Sequence, residues 1–435
     1  MLSQILFSLF LLAGSYFFAS KVREISRNIK LGRDLQINDR PADRWKVMAR
    51  VALGQSKMTS RPVAAFFHLL IYVGFVIINI EVMEIIIDGI FGTHRILSFM
   101  GGFYDFLIAS FEILAVGVLL ACVVFLSRRN LLKLKRFWMR EMTSWPRTDA
   151  NLILITEIFL MSAFLIMNAT DSILQSRGAD HYVLAGAFPV SSLLVPLFNE
   201  MSNDGLMALE RFCWWFHIIG ILAFLNYVPY SKHFHILLAF PNTWYSKLEP
   251  KGSFTNMESV TNEVKMMMDP SIVPPPVAPG ASPPRFGAKD VKDLSWKQLM
   301  DAYSCTECGR CTSVCPANIT GKLLSPRKIM MDTRDRLEEL GNGINKNGPD
   351  YEDGKSLLND YITPEELWAC TSCNACVEAC PVLIDPLSII IDMRRFMVME
   401  QSAAPAELNG MFTKIENNGA PWQFSPADRM NWTES

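Results

Sequence analysis

The chain has 435 residues, half of them hydrophobic and 19% charged, with a formal net charge of −2. That balance excludes a basic face for nucleic acid, and the concentration of apolar residues in the first 240 positions excludes a wholly water-soluble globule. Cysteines crowded between positions 305 and 380 exclude a secreted disulfide framework, because such spacing needs reduced thiols.

Five stretches, at about 2–20, 63–88, 103–126, 150–172 and 210–232, are long and apolar enough to cross a hydrocarbon core. Basic residues gather between the first and second (Lys21, Arg23, Arg27, Lys30, Arg33 and on to Arg61) and between the third and fourth (Arg128, Arg129, Lys133, Lys135, Arg136, Arg140, Arg147), whereas the alternate connections offer Arg95 and Arg177. The positive-inside rule therefore predicts a multi-pass protein of a bacterial or archaeal inner membrane, its N-terminus outside and everything after the fifth span in the cytoplasm. The first stretch lacks a preceding positive charge and a small-residue cleavage site, so it is expected to remain as a span.

Histidine placement carries chemistry. His68 lies near the inner end of the second span, about 30 Å from Asp88 at 1.5 Å per residue. Counted from Glu210, His233 and His235 fall at the same level on the fifth. His68 and one of these two are expected to sandwich a haem b. His217 stands only about 10 Å from the outer face, level with Glu81 of the second span. Spans one, three and four contain no histidine, and His94 and His181 fall in outer loops. One haem is therefore expected, with a second at His217 as the alternative, and His217 is expected to hydrogen-bond towards Glu81 and serve a quinone's protons. Further acids occur at depth: Glu84, Glu112 and Glu157.

Positions 241–290 read as a linker, extended at its centre by Pro270, Pro274, Pro275, Pro276, Pro279, Pro283 and Pro284. Positions 291–400 read as a helical ferredoxin domain, with helices expected at Ser295–Tyr303, Ser325–Leu340 and Thr363–Ala369. The last opens on Thr363-Pro364-Glu365-Glu366, an N-cap, an N1 proline and early acids. Positions 401–435 form a polar tail bearing Trp422 and Trp432. The domain carries one pattern twice, Cys305-x-x-Cys308-x-x-Cys311-x-x-x-Cys315-Pro316 and Cys370-x-x-Cys373-x-x-Cys376-x-x-x-Cys380-Pro381. Three thiolates at this spacing wrap three irons of a cube, and the fourth reaches the other cube. Two [4Fe–4S] clusters follow, held by Cys305, Cys308, Cys311 with Cys380, and by Cys370, Cys373, Cys376 with Cys315. Zinc would call for separated pairs or histidine, and no histidine lies here. Cys122 and Cys213 sit in apolar runs as packing residues.

The five-span layout with histidines on the second and fifth spans resembles the cytochrome b subunit of respiratory nitrate reductase and of membrane-bound heterodisulfide reductase. The run Trp214-Trp215-Phe216-His217 through Tyr230-Ser231-Lys232-His233-Phe234-His235 resembles fusions of such a cytochrome with a dicluster helical ferredoxin, among them the electron-transfer-flavoprotein:menaquinone oxidoreductases. In the nitrate reductase subunit a second histidine follows the first on span two, where this chain has Glu81. Longer family members continue into cysteine-rich CCG domains, so the resemblance implies a separate CCG-type partner subunit here.

The expected fold is an all-α membrane protein, five transmembrane helices followed by a cytoplasmic α-helical ferredoxin domain. The expected function is an electron-transfer subunit of a quinone oxidoreductase. It would link a CCG-type partner, fed by electron-transfer flavoprotein, through two [4Fe–4S] clusters and haem b to menaquinone in the bilayer. A quinol-oxidising subunit of heterodisulfide reductase type and a membrane redox sensor are the rival readings.

Overall fold

The computed structural model describes residues 1–269, 271–272 and 285–434, and these form helices and turns without a β-sheet. Five helices are long and apolar enough to cross a membrane, at the five places expected. In chain order the first part comprises α1 (Leu2–Ile29), the short α2 (Pro41–Met48), α3 (Pro62–Phe91), α4 (Gly102–Asn130), α5 (Trp145–Ser176), the one-turn α6 (Val195–Phe198), α7 (Asn203–Tyr227) and α8 (His235–Trp244). The boundaries follow local chemistry. Pro62 opens α3 at the position where a missing N–H costs nothing, and Gly92, at φ 72°, closes it in the left-handed conformation. Ser202 caps α7 by accepting from the Gly205 N–H.

The spans close into a ring: α1 packs on α3 and α7, α3 on α4, α4 on α5, and α5 on α7. Ile78, Phe111, Phe164 and Ile218 fill its centre, while Leu9, Phe17, Phe75, Ile113 and Phe159 are exposed on the outside, as lipid contact requires. Where α1 meets α3, the Phe7 ring occupies the space in which any side chain at Gly89 would stand, 2.6 Å from an added Cβ.

The fifth span departs from the regular helix used to compare His217, His233 and His235. α7 stops at Tyr227, and two 3₁₀ turns, Val228–Tyr230 and Lys232–Phe234, follow before α8 begins at His235. Pro229 is the cause, since it removes a backbone donor and ends the α-helical ladder.

After α9 (Glu258–Met268), the expected extended centre of the linker lies outside the described residues. The second part comprises α10 (Trp296–Ser304), α11 (Arg310–Val314), α12 (Pro316–Ile319), α13 (Pro326–Asn347), α14 (Leu357–Asp360), α15 (Pro364–Trp368), α16 (Ala375–Ala379) and α17 (Pro386–Met399), with α18 (Ala406–Asn418) in the tail. The three expected helices are present with their caps. Ser295 and Thr363 each form a full capping box, and Ser325 accepts from the Lys328 N–H.

This domain packs on the end of the ring that bears the basic segments. Ile25, Val228 and Phe234 of the membrane part share one core with Leu294, Leu299, Leu337 and Ile390. Polar contacts stitch the seam. The Arg33 N–H donates to the Leu294 carbonyl at 2.7 Å, Asn28 Nδ2 to the Tyr303 hydroxyl at 3.2 Å, and Asn242 Nδ2 of α8 to the Val382 carbonyl at 2.9 Å. Arg327, fully buried, pairs with Glu141 of the α4–α5 connection at 2.7 Å.

Candidate redox site

The duplicated cysteine pattern folds into duplicated backbone. Glu307 and Gly309 in the first copy, and Ser372 and Asn374 in the second, all have positive φ, between 52° and 69°. These left-handed residues turn each loop so that its first three thiols face inward. Glycine suits position 309, where φ is 69° and an added Cβ would lie 2.4 Å from Arg327 Nη1 and push it aside. A short helix then carries the fourth cysteine away: α11 leads to Cys315 and α16 to Cys380, and α11 packs against α16.

The consequence is a crossed arrangement. Cys305, Cys308, Cys311 and Cys380 line one cavity; Cys370, Cys373, Cys376 and Cys315 line the other. Burial pushes the Cys305 and Cys380 thiols up to about 12, so they favour the thiolate only where strong positive charge compensates. Backbone N–H groups approach two of the sulfurs, Ser372 to Cys370 Sγ at 3.4 Å and Ile384 to Cys380 Sγ at 3.3 Å, the kind of contact that adjusts a cluster's potential. An all-sulfur donor set, four thiols to each cavity, fits a cubane on each side.

The two cradles differ in surroundings. Cys373 is exposed, placing the second cradle towards solvent. The first faces the membrane part. Glu307 accepts from Lys232, the residue before His233, and Arg310 donates to the Lys57 carbonyl at 3.0 Å and the Ser60 hydroxyl at 3.3 Å in the segment leading to α3 and His68.

The histidines gather beside that first cradle. The His233 and His235 rings lie 5.5 Å apart, nearly perpendicular, and Phe224 lies 5.5 Å from His233. His235 Nδ1 donates to the Lys232 carbonyl at 3.0 Å, which leaves Nε2 with a free lone pair. His68 Nδ1 is buried without a hydrogen-bond partner. An imidazole fixed through one nitrogen, that of His235, and the orphaned imidazole of His68 are features a bis-histidine haem would use.

His217 and Glu81 do not pair as expected. His217 Nδ1 donates to the Leu160 carbonyl of α5 at 3.0 Å, because the close packing of α5 on α7 presents that carbonyl to the ring. Glu81, also buried, keeps Oε2 unpartnered and lines a cavity of about 290 Å³ at the end of the ring opposite the cysteines. Glu84, Asp88, His94, Arg95, Asp171 and Trp214 line it too. The polar network here was not legible from the sequence. Arg95 donates to Asp171 at 2.6 Å, to Asn168 at 3.0 Å and to Tyr104 at 3.1 Å, and Tyr104 donates to Glu84 at 2.9 Å. The His94 ring is largely buried and lies 5.7 Å from that of the exposed His181, but both nitrogens of His94 are engaged, by Asp171 and by the Val183 N–H. The only available signal was an arginine and a histidine adjacent at a span end.

Comparison with known proteins agrees with the cysteine geometry. Residues 304–384, which contain all eight of these cysteines, match the 4Fe-4S dicluster domain. The chain is 28% identical over 96% of its length to the "Probable iron-sulfur-binding oxidoreductase FadF" of Bacillus subtilis and 26% identical over 92% to the "EtfAB:quinone oxidoreductase" of Syntrophomonas wolfei. It spans 59% and 55% of those two relatives. Over 33% of its length it is 28% identical to one component of the dihydromethanophenazine:CoB--CoM heterodisulfide reductase of Methanosarcina acetivorans, covering 35% of that protein. No solved structure matches. The chain is thus an all-α, five-span membrane protein with a dicluster ferredoxin-like domain, homologous to EtfAB:quinone oxidoreductase, the iron-sulfur oxidoreductase FadF and components of heterodisulfide reductase.

Proposed function

We propose that this chain is the membrane electron-transfer subunit of a quinone oxidoreductase, with the iron-sulfur domain in the cytoplasm. The four thiols that include Cys373 hold a solvent-side [4Fe–4S] cluster that exchanges electrons with a separate CCG-type subunit, itself served by electron-transfer flavoprotein. The thiols that include Cys380 hold a second cluster at the seam. His68 and His235 hold haem b beside it, and the cavity containing Glu81 receives the head group of menaquinone at the outer side. The cofactors supply the one-electron chemistry; the chain positions them, keeps water from the seam and offers Glu81 as a proton carrier.

The observation that carries this reading is the order of parts: exposed cradle, buried cradle, then three histidines, tied in sequence by Glu307–Lys232 and Arg310–Lys57. The test uses the full chain in vesicles containing a menaquinone analogue, with a soluble low-potential donor. Wild type is expected to reduce the quinone, and His68→Ala to lose that reaction while its clusters still accept electrons. Unchanged quinone reduction in His68→Ala would remove the haem from the route. A fully loaded wild type without quinone turnover would favour a redox sensor.

A further inference from the structure

Among the described residues, Arg310 is a buried cation with no carboxylate partner. It is 5% exposed, and it donates only to neutral acceptors: the Lys57 carbonyl, the Ser60 hydroxyl and, at 3.1 Å, the Met58 sulfur. A buried charge left in this state is costly unless an anion faces it. Arg310 lines the cavity of Cys305, Cys308, Cys311 and Cys380. Four thiolates around a cubane give that cavity a net negative occupant. The other arginine lining it, Arg327, is already neutralised by Glu141.

The second cavity differs. No charged side chain lines it. Arg394 lies nearby, donating to the Leu367 and Cys370 carbonyls, but Asp385 lies on the Cys376 side and opposes it.

We infer that Arg310 makes the buried cluster the stronger electron acceptor of the two, so that an electron entering at the exposed cluster passes inward and comes to rest at the buried one, beside the membrane part. Reduction adds one negative charge to a cluster, and an unscreened guanidinium at the cavity wall favours the more negative state. Solvent near Cys373 works in the opposite sense, favouring reduction of the other cluster, and the order of the two midpoints weighs one effect against the other. In the step itself one electron leaves the reduced cluster held by Cys315, Cys370, Cys373 and Cys376 and reduces the cluster held by Cys305, Cys308, Cys311 and Cys380; no bond forms or breaks and no proton moves. The electron comes from the cytoplasmic partner. The inference rests on the function proposed above and adds which of the two clusters holds the electron.

The test is an EPR-monitored redox titration of the full chain in detergent. Clusters are counted first: fewer than two overturns both the function and this inference, whereas two clusters in the wrong order overturn this inference alone. In wild type the first signal to appear on reduction should be the one less broadened by a soluble dysprosium chelate. Arg310→Gln should shift the midpoint of that buried cluster downward and leave the exposed one in place, while Arg310→Lys, which retains the charge, should keep the wild-type order. The inference is overturned if the chelate-exposed cluster is reduced first in wild type, or if Arg310→Gln moves the exposed cluster or neither.

Discussion

Replacing Cys308 or Cys380 by serine is expected to damage the same cluster, although the two lie on different copies of the pattern, because both line one cavity. Cys315→Ser should damage the cluster of Cys370, Cys373 and Cys376 instead. EPR of the reduced variants checks this, and a Cys380→Ser protein that keeps the Cys308 cluster and loses the other would refute the crossed ligation. The choice between His233 and His235 is also a matter of single atoms. Lys232's carbonyl fixes the His235 ring through Nδ1 and leaves Nε2 to ligate, whereas no such bond orients His233. His235→Ala should therefore abolish the low-spin b-type spectrum and His233→Ala retain it; the reverse pattern would move the ligand to His233.

At the scale of elements, the seam depends on a few contacts between parts distant in sequence. Arg327 and Glu141 form one buried ion pair across it, and Glu141→Ala leaves the guanidinium without a counter-charge. A loss of about 3–5 kcal/mol is expected. Thermal unfolding of the iron-sulfur domain, followed by loss of cluster absorbance, measures it, and an unchanged midpoint would contradict the role of the pair. Elements of this kind divide what the sequence could reveal from what it could not. Five spans were legible because hydropathy and length are local properties, and the helices at Ser295, Ser325 and Thr363 because caps are too. The crossed cavities were legible because the duplicated spacing leaves the fourth cysteine out of reach of its own cube. What failed was tertiary. His217 bonds to Leu160 rather than Glu81 because helix packing chooses among acceptors that no spacing rule ranks. The end of α7 at Tyr227 was half visible in Pro229, but a proline shows that a ladder breaks without showing where the chain goes next. Nothing in the sequence distinguishes Arg310 within its cysteine loop, and only its lack of a carboxylate partner among the described residues gives it meaning.

Across the whole molecule, chemistry separates by end. Thiols and the histidine trio occupy the end with the basic segments; Glu81 and the Arg95–Asp171 network occupy the other. His68 and Glu81 share α3, thirteen residues apart, which at 1.5 Å each is about 20 Å of membrane depth. Electrons supplied at one end would thus meet protons handled at the other. Glu81→Gln is expected to slow quinone reduction in vesicles while haem and clusters stay fully reducible; unaltered turnover would remove Glu81 from the proton route. The account as a whole makes one chain of three one-electron centres, and coulometric titration of the purified full-length protein counts them directly. Three electrons per wild-type chain and two in His68→Ala are predicted, one for each cluster and one for the haem. Two electrons in both proteins would contradict the haem, and none in either would contradict the redox reading itself.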